Sequence, residues 1–226
     1  YCKNNNIIVT NIPKYSTDSV AEYAIFLMMC LAKKFPLQLK KDYKMETIEK
    51  TLSSNTIFEG KVIKVKTLSV LLPNGNEGYR EIVEHNGGVT VAALTDDAEL
   101  IFVRQFRYPY MEEILEIPAG KRDSLDEIPL ECGIRELKEE TGATAKRFIS
   151  LGELYPTPGY CGEIIWMFAA LDLEYGDQDP DDDEFLEVEK IPLEKALEMI
   201  LEGEIKDAKT QTAILKLKYM LDNNLL

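Results

Sequence analysis

Residues 120–143 read GKRDSLDEIPLECGIRELKEETGA, and the second half of this stretch sets the terms for the rest of the chain. Pro129 to Glu140 reads as a strong helix, with Gly142 behind it as a C-cap. Within it Glu136, Glu139 and Glu140 stand at i, i+3 and i+4, so three carboxylates share one face while Leu130, Ile134, Leu137 and Thr141 form another stripe. Like charges this close repel, and a helix tolerates them when cations sit among them. Hard carboxylate oxygens suit magnesium or manganese, which keep several waters and bridge phosphates. Without such a partner the cluster is only a solvated acidic face. Arg135 can orient or pair these carboxylates, and Pro118-Ala119-Gly120 makes a tight turn just upstream.

Before the helix, short β-rich runs alternate with turns: Ile57 to Leu72, the turn Pro73-Asn74-Gly75-Asn76, Glu81 to His85, Val89 to Leu94 and Leu100 to Phe106. After it come a strand at Ile164 to Leu173, an acidic loop at Asp177 to Asp183, and helices near Leu193 to Leu201 and Ala208 to Leu221. Strands first and helices last predict an α+β fold, a mixed sheet sandwiched between helices. Trp166 reads as core. His85, the single histidine, reads as a packed or surface residue, since no triad or multi-histidine metal site can be built on it alone.

The composition narrows the partners. Forty acidic against 26 basic residues give a net charge of −14, with no basic cluster, so nucleic acid is not an expected ligand. Four scattered cysteines, Cys2, Cys30, Cys132 and Cys161, lack zinc or disulfide spacing and fit a reducing cytoplasm. The longest apolar run, Tyr23 to Ala32, has ten residues, half of the ~20 a membrane-spanning helix needs, so no membrane partner is expected.

The text changes character near Lys44-Met45, giving two expected sections, 1–44 and 45–226. In the first, Ser16, Thr17 and Asp18 offer N-cap oxygens to an apolar helix over Val20 to Leu31. Its order, Ile8-Val9-Thr10-Asn11-Ile12-Pro13, Tyr15-Ser16, Val20-Ala21-Glu22, resembles a short piece of the D-isomer-specific 2-hydroxyacid dehydrogenases over residues 5–43. The glycine-rich phosphate turn that should follow occurs nowhere in the chain, so that chemistry is not expected. The first section is therefore expected to be a helical appendage without chemistry, a remnant joined to a second section that starts at Met45.

The stretch 120–143 itself resembles the Nudix box: a glycine, a spacer, a glutamate, seven residues, then Arg-Glu-apolar-x-Glu-Glu-x-Gly-apolar. Glu127, Arg135, Glu136, Leu137, Glu139, Glu140, Gly142 and Ala143 match. The spacer after Gly120 has six residues where the pattern has five, and five would land on Asp126. The resemblance implies an α/β/α sandwich in which Glu136 and Glu140 are the principal metal ligands. Glu139 is a further ligand or catalytic carboxylate, the Ala119 carbonyl a fourth ligand, and Arg135 supports them. Magnesium, with manganese possible, would then hold a diphosphate while water attacks phosphorus.

Outside the box, Arg80-Glu81-Ile82-Val83-Glu84-His85, Arg104-Gln105-Phe106-Arg107-Tyr108, Glu116-Ile117-Pro118-Ala119-Gly120 and Gly203 to Thr210 look like the ADP-ribose pyrophosphatase branch. So does Pro158, fifteen residues beyond Ala143 in Tyr155-Pro156-Thr157-Pro158-Gly159-Tyr160. This implies substrate contacts from Arg80 and Arg107, whose guanidinium forks suit phosphate, and from Glu112, Pro158 and Glu163. The general base falls in the acidic loop, taken as Asp177 to Glu184, with Glu184 first and Asp183 second. The branch further implies a cytoplasmic homodimer that packs or exchanges strands near Ile57 to His85 and cleaves ADP-ribose to AMP and ribose 5-phosphate. A sugar-nucleotide hydrolase, or a sensor that binds ADP-ribose without cleaving it, are the rival expectations.

Overall fold

The computed structural model describes residues 47–179 and 185–226. The expected appendage 1–44, its helix, and the loop acids Asp183 and Glu184 lie outside the described residues.

The core is built on β4 (Gly88–Ala93), whose six residues are all buried. It runs parallel to β9 (Ile165–Tyr175) and antiparallel to β7 (Ala119–Lys121), and β8 (Ala143–Leu154) pairs antiparallel with β9, giving a mixed sheet in the order β7-β4-β9-β8. A second sheet places β5 (Glu99–Arg107) between β10 (Glu187–Pro192) and β6 (Glu112–Glu116). A strand buried on both faces reads as a near-continuous apolar run, as Val89 to Ala93 does apart from Thr90, whose hydroxyl donates to the Pro118 carbonyl at 3.0 Å.

Alternation along β4 divides the core between two helical layers. Val89, Val91 and Ala93 pack with Cys132 and Leu137 of α1 (Pro129–Thr141). Ala92 joins a larger cluster with Leu193 and Ala196 of α2 (Leu193–Glu202) and Ala213, Ile214 and Leu217 of α3 (Ala208–Asp222). The expected helix–sheet–helix arrangement is thus present. Each fully buried Leu, Ile or Phe here, such as Leu100 or Phe102, contributes roughly 1.5–3 kcal/mol relative to exposure.

The amino-terminal strands differ from expectation. The single run Ile57 to Leu72 is two strands, β1 (Lys50–Glu59) and β2 (Lys64–Leu71), parted by a turn in which Gly60 N–H donates to the Ile63 carbonyl at 3.0 Å. With β3 (Glu77–Glu84) they form a three-stranded sheet in the order β1-β2-β3. The turn around Asn74-Gly75 closes locally, Gly75 N–H reaching the Leu72 carbonyl at 2.9 Å. Among the described residues no helix is long and apolar enough to cross a membrane.

Candidate active site

The buried face of α1 shares only Leu137 with the expected apolar stripe. Cys132, Gly133, Glu136, Leu137 and Glu140 point inward, whereas Leu130 and Ile134 stay partly exposed. Gly133 faces Val91 and Phe168. Gly142 takes the left-handed conformation (φ 69°) that a C-cap requires and turns the chain directly into β8. A side chain there would strike the Gly176 carbonyl at 2.4 Å.

Burial of carboxylates needs compensation. Glu140, 2% exposed, accepts the Ala119 N–H through Oε2 at 3.0 Å. Glu136, 8% exposed, lies against Gly120 so closely that a Cβ on that glycine would fall within 1.9–2.2 Å of its carboxyl atoms. Arg135 sits among the acids, 2.9 Å from Glu136, 2.9 Å from Glu139 and 3.3 Å from Glu127. Burial works against its charge, but Glu136 and Glu139 outweigh burial and raise its pKa.

The longer spacer is absorbed by Arg122, which is buried, stacks over the Trp166 ring at 4.9 Å and donates to the carbonyls of Glu127 (2.8 Å), Leu125 and Asn86. Looped around this guanidinium, the chain presents Glu127 to Arg135, and Asp123 N–H donates to Glu127 at 2.7 Å. Burial alone would raise the Glu127 carboxyl. The hydrogen bonds from Asp123 and Arg135 reverse that and hold it below the ordinary carboxylate range. Cys132 is pushed up to about 12, by burial first and then by Glu136 and Glu127, so it stays a thiol.

A cleft of about 340 Å³ opens beside Ala119 and Gly120. Arg107 and Glu163 line it, and so do His85, Pro156, Asp207 and Lys209. Arg107 grips buried Glu116 with two hydrogen bonds, Nε at 2.6 Å and Nη2 at 2.7 Å. Lys209 bonds the same carboxylate and stands 3.1 Å from Asp207. The Glu116 hydrogen bond, opposed by burial, raises the Arg107 pKa. Burial in turn opposes ionisation of Glu116, but Arg107 and Lys209 outweigh it and hold its carboxyl below the usual range. Asp207 caps α3 by accepting Thr210 N–H at 2.9 Å, and the Thr210 hydroxyl accepts Ile117 N–H at 3.0 Å. The start of α3 is thereby tied to the chain that leads into β7.

The other expected residues stand apart from this cleft. Arg80 is exposed on β3 and donates to the Tyr79 carbonyl at 2.8 Å. Glu112 pairs with Lys206 at 3.0 Å on the surface. Pro158 borders a smaller neighbouring cavity with Tyr155, Cys161 and Glu163, while Pro156 takes the place in the main cleft. Trp166, read as core, is only partly buried and donates its indole N–H to Glu153 at 3.2 Å. Sequence reasoning missed Glu116, Asp207 and Lys209 individually, although all three lie in segments whose resemblance it noted.

The family model described as the NUDIX domain matches residues 84–212, and the chain belongs to that family. It is 45% identical over 168 residues to an ADP-ribose pyrophosphatase of Bacillus subtilis (strain 168), a match covering 74% of this chain and 90% of the relative. It is 39% identical, with the same coverage of both chains, to a methanol dehydrogenase activator of Bacillus methanolicus. A solved structure of an ADP compounds hydrolase superposes with a TM-score of 0.69 over 78% of this chain and 95% of that one, at 23% identity, which supports the fold.

Nudix hydrolases use divalent metal ions. Among the described residues no group of three acidic, histidine or cysteine side chains is gathered as a metal site, and the Arg135 guanidinium lies among the carboxylates. The donor chemistry nevertheless fits one. Glu136 and Glu140 bring buried oxygens to the backbone of Ala119 and Gly120, with Glu139 one turn from Glu136's neighbour Arg135, and all are hard oxygen donors.

Proposed function

We propose that the chain hydrolyses the diphosphate bond of ADP-ribose to AMP and ribose 5-phosphate, supported by magnesium held by Glu136, Glu139, Glu140 and the Ala119 carbonyl. The observation that carries this reading is the meeting of two buried carboxylates with the Ala119–Gly120 backbone beside a cleft also lined by Arg107 and Lys209. When bound, the metal would neutralise diphosphate charge and lower the pKa of water. Water adds to one phosphorus, the bridging P–O bond breaks, and the released oxygen leaves on the other phosphate.

The chain's own residues do the rest. Arg107 uses Nε and Nη2 on Glu116, leaving Nη1 with no protein partner among the described residues to meet a substrate oxygen. Glu163 contributes an acceptor for ribose hydroxyls. Glu184, or Asp183 beside it, takes the proton from water. ADP-ribose as the substrate is supported by the name of the Bacillus subtilis relative.

Two further points belong to this proposal. The protein works in the cytoplasm, consistent with the unpaired thiols of Cys132 and Cys161. It works as a homodimer, since all ten residues of edge strand β1 are exposed, among them Leu52, Ile57 and Phe58, a surface that a second copy would cover. The test is product identification by chromatography over ADP-ribose and a panel of nucleotide sugars. AMP and ribose 5-phosphate, formed fastest from ADP-ribose, support the reading. Binding without cleavage would refute it, and so would a preference for another diphosphate.

A further inference from the structure

We infer that His85 is a substrate-binding residue that offers a single, preset hydrogen-bond donor, its Nε2–H, to an oxygen of the nucleotide diphosphate in the cleft. This rests on the functional reading above and deepens it. His85 lies where the chain leaves β3 and enters β4. Its Nδ1 accepts the Gly87 N–H at 3.0 Å. A nitrogen that accepts cannot carry the proton, so the neutral ring is fixed with hydrogen on Nε2. Glu163 Oε1, 3.6 Å from Nδ1, is too distant for a hydrogen bond and does not compete.

The surroundings hold the ring in place. Gly87 has φ 86°, and a side chain there would strike Trp166 at 2.7 Å, so the turn has one course. It delivers Gly88 against the Gly120 carbonyl, 2.9 Å from where a Cβ would stand, directly beside the Glu136 contact. The His85 side chain is only 12% exposed, yet it lines the cleft that Arg107 and Lys209 share. Nε2 has no hydrogen bond among the described residues. No buried side-chain nitrogen or oxygen among them lacks a partner, so Nε2 keeps solvent access rather than being sealed, on a residue that lines the cleft. An oriented donor with no protein acceptor, in a cleft whose other side-chain donors are the cations Arg107, Lys121 and Lys209, suits an oxygen-rich ligand.

Two amide substitutions separate binding from turn support. Asparagine places Oδ1 near the position of Nδ1 and can keep the Gly87 bond, while glutamine places its amide nitrogen near that of Nε2 and keeps the donor. KM and kcat for ADP-ribose, and equilibrium binding with EDTA present, are measured for the parent, His85→Asn and His85→Gln, alongside thermal melting. The expected result is that His85→Asn melts like the parent but raises KM and Kd about three- to tenfold with kcat little changed, the loss of one neutral hydrogen bond. His85→Gln keeps KM within about twofold even where its melting temperature falls. Unchanged KM in His85→Asn, or equal rises in both variants, would overturn the proposal. If the parent turns over another nucleotide sugar instead, the ADP-ribose reading fails while the same contrast is read on that substrate. If the parent binds no nucleotide, both fall.

Discussion

Replacing Gly120 with alanine adds one methyl group, and the structure states what it meets: Glu136 Cδ at 1.9 Å, Oε1 at 2.0 Å and Oε2 at 2.2 Å. Restoring ordinary contact requires the carboxylate to retreat by about 1.5 Å. The obstacle is the far end of a flexible side chain, so the fold can give way there. Overpacking of this kind costs about 1–3 kcal/mol, well within the ~5–15 kcal/mol that keeps a domain folded. The functional cost is larger, because a displacement of about 1 Å in a reacting constellation removes roughly a hundredfold of rate. Gly120→Ala is therefore expected to melt cooperatively within about 10 °C of the parent and to lose at least about a hundredfold in kcat/KM for AMP formation. Parental turnover in the folded variant would refute the claim that Glu136 works from this position.

Glu116→Gln removes the negative partner of Arg107 and Lys209 and should destabilise the protein by about 2–3 kcal/mol in chemical denaturation, below the full cost of breaking a buried pair because Arg107 remains 37% exposed. The folded Glu116 pKa lies below its unfolded value of ~4.3, so its stabilisation is present above that pH and is lost as pH falls through the folded pKa. The parent–variant gap should accordingly close below about pH 4, and a gap independent of pH would contradict this. Neutralising both Asp183 and Glu184 to amides should cut kcat by about a hundredfold or more with KM little changed, as loss of a general base does; unaltered kcat would remove them from the mechanism. Residues 45–226 expressed alone should fold and turn over substrate, and a chain that neither folds nor acts would show that residues 1–44 are needed.

What could be read from the sequence was what local patterning encodes. The carboxylate helix, its Gly142 cap and the buried run Val89 to Ala93 are written in neighbouring residues, and the structure has all three. Strand β8 escaped because Lys146, Arg147 and Gly152 interrupt the apolar pattern of a half-exposed strand with a bulge at Ser150/Gly152. Strand β10 reads as Glu-Val-Glu-Lys-Ile-Pro, too charged to suggest a strand, yet it lies at a sheet edge where charge is tolerated. The inward face of α1 could not be told from periodicity, since its buried carboxylates are satisfied by Ala119, Arg135 and contacts that only the fold creates. The same is true of Glu116: its partner Lys209 is 93 residues away, and no local pattern announces such a pair. The six-residue spacer became intelligible only through Arg122, whose burial under the loop keeps Glu127 in reach of Arg135.

Buried glutamates on α1, set against the Ala119–Gly120 turn, are proposed to support metal-dependent cleavage of a diphosphate. The most direct test is the rate of AMP formation from ADP-ribose across a magnesium titration, for the parent and for Glu140→Gln. The rate is expected to rise from near zero and saturate with magnesium in the parent, and to fall at least a hundredfold at every concentration in the variant. Turnover that ignores magnesium, or a Glu140→Gln variant as fast as the parent, would contradict this.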